Sequence, residues 1–308
     1  MFGDYSLSDL GAIFAMQGFA GLILFSVYVL MALGLAIIFG QMGVINMAHG
    51  EFMTIGAYMI YFCSRMVSKY APGFMPYYFV FAIVVAFVVA FAVGFLVEYL
   101  LIRHLYKRPL DTLLATWGLS LIMQQLFRSL FGAREVSPEL PDWLMGAWKA
   151  TDTIDIPLNG LFVMALSILV TAGVFLFLYR SAWGLKVRAT TQNRIMAGAV
   201  GINTRMVDRL TFALGCGIAG VAGAAFTTIG STGPTSGSLY IVDTFLVVAF
   251  GGAGSLLGTI FSAFSIAQVQ SLLTFFLTNA MGKVTTLLAV IVILMLRPEG
   301  LRPNKVRK

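Results

Sequence analysis

Long apolar segments separated by short polar loops dominate this chain. The stretches Leu10–Gly50, Tyr70–Val97, Leu210–Val242 and Thr244–Gly282 contain no Asp, Glu, Lys or Arg. A helix of about 20 apolar residues crosses a bilayer, and the longest of these runs is nearly long enough to cross twice. Segments such as IVVAFVVAFAVGFLV at 83–97 lack the strict alternation of a transmembrane β-strand, so the spans are helical. The pattern predicts helices over 18–40, 77–101, 111–131, 159–179, 209–230, 256–277 and 283–297.

Two stretches break the pattern. Residues 41–64 place Gly43, Asn46, His49, Gly50 and Glu51 where an unbroken lipid-facing helix would carry Leu. Residues 240–255 run from a dozen apolar positions into Gly251, Gly252 and Gly254. Irregular backbone at membrane depth survives only where protein or a water-filled cavity surrounds it, so both stretches are expected to border a path. Both also read as a helix, a glycine-containing break and a returning helix, a loose likeness of the kind that internal repeats leave in transporters.

Composition agrees. The chain is 59% apolar and 11% charged, with mean hydropathy +0.91, far less charge than a soluble domain carries. The fold class expected is an all-α polytopic helical bundle of about 8–9 crossings, some short or broken, forming one membrane domain over 1–308. The net charge of +7 sets orientation and implies no nucleic acid. Loops 98–111, 180–209 and 297–308 hold three, six and five Lys/Arg, 14 of the 20. Basic loops stay cytoplasmic, which places the C-terminus inside and the acidic N-terminus, free of the basic region of a cleaved signal, outside. Cys63 and Cys216, both in apolar runs, read as packing residues.

An ionisable group within a span is a functional candidate by default. His49 and Glu51, with Asn46, have two open readings: they hold a broken helix by hydrogen bonds, or they meet substrate. Too few His and Cys lie nearby for a metal site. Asp243 is expected to cap the short crossing at its N-terminus, behind the turn-forming run TGPTSG, which brings Thr235, and behind Tyr240. Thr191–Val200 suits a short amphipathic helix ended by Gly201-Ile202-Asn203. Such an ordered basic loop, about 180–209, reads as a docking surface, with Arg188, Arg194, Ala199, Gly201 and Asn203 as its candidates. Downstream, the small pairs Ala213/Gly217, Ala219/Gly223 and Gly220/Ala224 predict close helix packing. Enzyme signatures are missing: the Gly282-Lys283 pair lacks the upstream glycine of a phosphate-binding loop.

Four blocks, in order, resemble a known family: VINMAHGEFMTIGAY, GLKVRATTQNRIMAGAVGINTRMVDRLTFALGCGIAGVAGA, GPTSGSLYIVDTFLVVAFGGAGSLLGT and RPEGL. They resemble the permeases of ABC importers for branched-chain amino acids and urea, and Met47 with the Tyr-Ile-Val-Asp run (240–243) resembles the urea group more than the amino-acid group. The resemblance implies a second homologous permease, two cytoplasmic ATPase subunits that bind the ATP, an extracytoplasmic binding protein and a bacterial cytoplasmic membrane. It implies that 190–204 is the segment that couples to the ATPase. It further implies that Asn46, His49, Glu51, Thr235, Tyr240, Asp243, Gly251 and Gly252 border the substrate path. No cofactor belongs to this chain itself, and a stand-alone channel or secondary transporter is the remaining class.

Overall fold

The computed structural model describes residues 7–301 apart from 107, 152–153, 253 and 298–299. The expected placements of the N-terminus and of the tail beyond 301 lie outside the described residues. Eleven α-helices make up the described chain: α1 (Leu7–Met42), α2 (His49–Tyr70), α3 (Tyr78–Leu100), α4 (Pro109–Phe131), α5 (Leu158–Arg180), α6 (Ala182–Gln192), α7 (Arg194–Ala199), α8 (Thr204–Phe226), α9 (Ser236–Gly251), α10 (Leu256–Phe276) and α11 (Asn279–Leu296). A hairpin of β1 (Ala147–Thr151) and β2 (Ile154–Pro157) decorates the α4–α5 connection. Among the described residues, six helices are long and apolar enough to cross a membrane: α1, α3, α5, α8, α10 and α11. The chain is thus an all-α multi-pass membrane protein, with α9 as a shorter apolar helix.

The centre of the bundle is α8. In its most apolar window 83% of the residues are buried, against 22% for α3 and 17% for α11, which face outward. Lipid tails are as apolar as leucine, so helices hold together here by close contact and hydrogen bonds, with little hydrophobic drive. The predicted small residues of α8 supply that contact. A methyl group on Gly56 of α2 would lie 2.6 Å from the Gly220 Cα, and one on Gly215 would lie 2.7 Å from the Gly34 carbonyl oxygen of α1. Gly94 of α3 meets Cys216 just as tightly. Neither cysteine forms a disulfide, and Cys216 is buried.

The break between α1 and α2 differs from a helix interrupted in its middle. The non-helical backbone is confined to 43–48, and α2 then runs unbroken from His49 to Tyr70. The His49 ring reaches the Met31 carbonyl at 3.2 Å. Met31 lies eleven residues before Met42, about 17 Å back along α1 at 1.5 Å per residue. Seven steps of extended chain span about 23 Å. Residues 43–48 therefore double back along α1, with Val44, Asn46 and Ala48 buried, and α2 starts at depth.

The second irregular stretch also shifts. α9 begins at Ser236, inside the GPTSG run, and its break comes after Gly251, where Gly252 and Gly254 take φ values of 93° and 82°. Asp243 is therefore not an N-terminal cap: it lies in the body of α9. The first turns of α2 and α9 meet, the Gly237 amide donating to Thr54 Oγ1 at 2.9 Å. In the 180–209 loop two short helices, α6 and α7, stand where one was expected over 191–200. Asn193 separates them, and its side chain accepts the Met196 amide to cap α7.

Connections sort into two faces. On one, the Val136 and Thr232 backbones pair, Trp143 Nε1 donates to the Pro76 carbonyl at 2.7 Å and Asn159 holds the Thr228 carbonyl at 2.7 Å. On the other, Arg209 pairs with Glu98 at 2.8 Å and Arg194 pairs with Asp208. The second face carries the base-rich loops 98–111 and 180–209. In a strain whose chain lacks Cys63 and Cys216, an impermeant maleimide applied to intact cells should label Lys149→Cys and leave Val200→Cys unlabelled. Both positions are exposed, and the reverse labelling would invert the topology.

Candidate functional site

The 43–48 segment and the first turn of α2 carry a cluster of polar groups sealed from solvent. Asn46 and His49 are 0% exposed and Glu51 is 1%. Asn46 Oδ1 accepts the Ala48 amide at 3.1 Å, and its carbonyl accepts the His49 amide at 3.2 Å, so Asn46 shapes the turn that launches α2. Ala48 occupies the cap position itself without a side-chain bond. The His49 Nε2–H donates to the Met31 carbonyl, tying α2 to α1.

Glu51 does something else. Its Oε1 accepts Ser120 Oγ and Gln124 Nε2, both at 2.9 Å, and so joins α2 to α4. Its position in the first turn also puts the carboxylate at the positive end of the α2 dipole. Thr116, one turn before Ser120, accepts the Met47 amide at 3.1 Å. Thr112, Thr116, Ser120 and Gln124 thus form a polar row at four-residue spacing on α4, facing the break. A period-four row of polar residues in an apolar helix is legible in sequence, and it marks the partners that reading Glu51 alone misses.

Around this cluster several buried atoms have spare hydrogen-bonding capacity. Asn46 Nδ2, His49 Nδ1, Glu51 Oε2 and the Tyr58 hydroxyl have no hydrogen-bond partner among the described residues. An unsatisfied buried polar group costs about 1–3 kcal/mol, so such a concentration is exceptional outside functional sites. The set mixes donors and acceptors. Among the described residues no group of His, Cys, Asp and Glu could hold a metal ion.

Asp243 anchors a second cluster. Lys283 Nζ of α11 lies 2.7 Å from Asp243 Oδ2 and also donates to the Leu239 carbonyl at 2.9 Å. Tyr28 of α1 donates its hydroxyl to Asp243 at 3.1 Å, with the Gln270 amide of α10 at 2.9 Å from the same oxygen. One hydroxyl has one proton; with that proton on Asp243, the Gln270 amide completes the set by turning its NH2 to Tyr28. The cluster therefore fastens α1, α9, α10 and α11. Tyr240 leans on Tyr28 and Phe226 at ring distances of 6.4 and 5.2 Å, and Lys283 Nζ is 5.6 Å from its ring centre.

The other candidates divide by role. Thr235 precedes α9 without capping it by its side chain, Gly251 lies against Gly258 of α10, and Gly252 makes the turn after α9. Arg188 donates to the Leu178 carbonyl and stacks on Tyr179 at 5.4 Å. Arg194 turns inward to Asp208, while Ala199 is exposed at the end of α7. Gly201 takes φ 88°, a left-handed conformation that favours glycine. Asn203 caps α8 by accepting the Met206 amide at 3.1 Å.

Comparison with known proteins assigns this architecture. The family model described as branched-chain amino acid transport system / permease component matches residues 18–296. The high-affinity branched-chain amino acid transport system permease protein LivH of Escherichia coli K12 is 27% identical over 295 residues, 94% of this chain and 95% of the relative. The probable LivH of Methanocaldococcus jannaschii is 28% identical over 313 residues, 96% and 94% of the two chains. BraD of Pseudomonas aeruginosa is 25% identical over 290 residues, covering 91% and 93%. No solved structure matches. A match running from within α1 to the end of α11 places the chain in the family of permease components of branched-chain amino acid transport systems.

Proposed function

We propose that this chain is the membrane-spanning permease subunit of an ATP-driven importer in a bacterial cytoplasmic membrane, and that its substrate is a branched-chain amino acid. The observation that carries this reading is the end-to-end match to permeases whose names specify that transport. It moves the amino-acid substrate ahead of urea, which the sequence blocks favoured. Urea stays as the second reading because of Met47 and the Tyr240–Asp243 run.

In this reading two permeases face each other and substrate, delivered on the outside by a binding protein, passes along their interface. ATPase subunits dock on α6 and α7, where Leu185, Ile195, Met196 and Val200 are 61–85% exposed beside the basic residues. ATP is bound and cleaved on those subunits, and the permease contributes no chemistry of its own. The buried polar atoms at Asn46, His49, Glu51 and Tyr58 lie beside the path and respond to its opening.

Uptake tests the substrate. Proteoliposomes containing the permeases, ATPases and binding protein should accumulate labelled leucine at least tenfold over labelled urea. The opposite preference would install the second reading. Gly201→Val, strained at φ 88°, should loosen ATPase binding while leaving the permease inserted, and normal import by this variant would refute docking at α7.

Glu51 tests the break. Glu51→Gln retains a carbonyl oxygen for Ser120 and Gln124, whereas Glu51→Ala abandons two buried donors at about 1–3 kcal/mol each. The Ala variant should therefore lose most of its maximal transport rate at unchanged expression, and the Gln variant less than half. Equal loss in both would make the negative charge itself the requirement.

A further inference from the structure

Asp208 is 0% exposed, yet it sits in the first turns of α8, at the end of the bundle that bears α6 and α7. Its two oxygens reach in different directions. Oδ2 pairs with the Arg194 guanidinium, the first residue of α7, and Oδ1 accepts Gln41 Nε2 at 3.3 Å, one residue before α1 ends. Arg194 also rests over the Tyr106 ring at 5.6 Å, and the Tyr106 hydroxyl donates to Glu98 of α3. Glu98, 1% exposed, is neutralised by Arg209, the residue after Asp208. Four charges from α3, α7 and α8 thus form one network, and Gln41 joins it to α1.

That network has a consequence for movement. α7 is six residues long, and its outward side chains Ile195 and Met196 are 85% and 63% exposed. What ties it to the bundle is Arg194, the buried Ala197 and the Ile202 side chain packed below. Beyond Gln41 and Met42 the chain leaves α1 and enters the 43–48 segment that carries Asn46. A displacement of α7 pulls Arg194 against a carboxylate that cannot be abandoned, because an unpaired charge in that setting is costly. Asp208 and its Gln41 contact then move with it, and the base of the re-entrant segment follows.

We infer that Asp208 is the positioning residue that transmits motion of α7 to the α1–α2 break, through Arg194 on one oxygen and Gln41 on the other. The inference rests on the docking of ATPase subunits at α7 proposed above, and it adds the route by which docking reaches the buried polar cluster. Asp208 touches no substrate. It converts a push at the membrane surface into a shift of the segment that holds Asn46 and His49.

The test measures ATP hydrolysis and import in the same proteoliposomes, with labelled leucine and labelled urea as probes, and reports substrate moved per ATP. Arg194→Gln, Asp208→Asn and Gln41→Ala should each keep the ATPases bound and hydrolysing within twofold of the parent, while substrate per ATP falls at least fivefold for the first two and about threefold for the third. Residues on one route fail together, so the double variant Arg194→Gln/Asp208→Asn should be no worse than the poorer single. Arg108→Gln, whose exposed pair with Asp111 lies off this route, should leave the ratio within twofold. An unchanged ratio in the single variants, or losses that multiply in the double variant, would overturn the inference. Loss of ATPase binding in Arg194→Gln would also overturn it, since Arg194 would then belong to the docking surface. Where Asp208→Asn does not accumulate, Arg194→Gln and Gln41→Ala decide by the same criterion. A parent complex that recruits no ATPase would instead refute the function, which separates the two failures.

Discussion

Backbone without helical hydrogen bonds cannot face lipid, and after the Gly43 amide, which still donates to the Phe39 carbonyl at 2.9 Å, residues 44–48 leave the helix. Everything near the middle of this protein follows from hiding that segment. It is wrapped by α1 on one side, by α4 on another through the Thr116–Met47 contact, and the helices it joins are clamped by α8. Because the segment doubles back, α2 starts at the level of Met31, and the positive end of its backbone dipole lies at depth. An acidic residue in that turn is what the helix dipole favours, which explains Glu51 without any cationic partner among the described ion pairs.

Such wrapping needs helices that approach closely, and that requirement falls on α8. Its glycines meet backbone from α1 and α2 and side chains from α3. Side chains at these positions would push the neighbouring axes apart and open the 43–48 segment to lipid. The small-residue face and the polar break are therefore one design seen from two sides: the first permits the second. At its N-terminal end the same helix carries Asp208 and Arg209, whose ion pairs reach α7 and α3.

Much of this was legible because membrane depth makes exceptions conspicuous. Asn, His and Glu inside an apolar run, glycines four apart, and a basic loop closed by Gly201-Ile202-Asn203 each stand out against leucine and phenylalanine. What was hidden depends on tertiary partners. Nothing local says whether His49 interrupts a helix or begins one, since His-Gly-Glu-Phe is acceptable in either place. Asp243 looked like a cap because TGPTSG precedes it. Ser236 and Gly237, however, are already helical, and Asp243 faces Lys283, forty residues later. Tyr28 and Gln270 gave no signal, because nothing local singles them out from neighbours such as Ser26, Gln268 and Ser271. The α4 row from Thr112 to Gln124 was readable and shows that polar periodicity inside apolar helices should be scored as carefully as apolar periodicity is in soluble ones.

The two polar clusters differ in how fully their groups are matched. Around Asp243 the charges are matched, one carboxylate to one ammonium with a tyrosine hydroxyl added, and such a cluster fixes four helices. Around Glu51 the groups are left with capacity: an amide N–H2, an imidazole nitrogen, a carboxylate oxygen and a phenol. A site that released its guest slowly would stall an importer, so favourable but weak and distributed contacts are what conduction demands. In the proposed reading, spare donors and acceptors of both kinds would meet the ammonium and carboxylate ends of an amino acid and the amide edges of urea alike. In that reading, selectivity between such guests would rest less on this cluster than on shape along the path and on the protein that delivers the substrate.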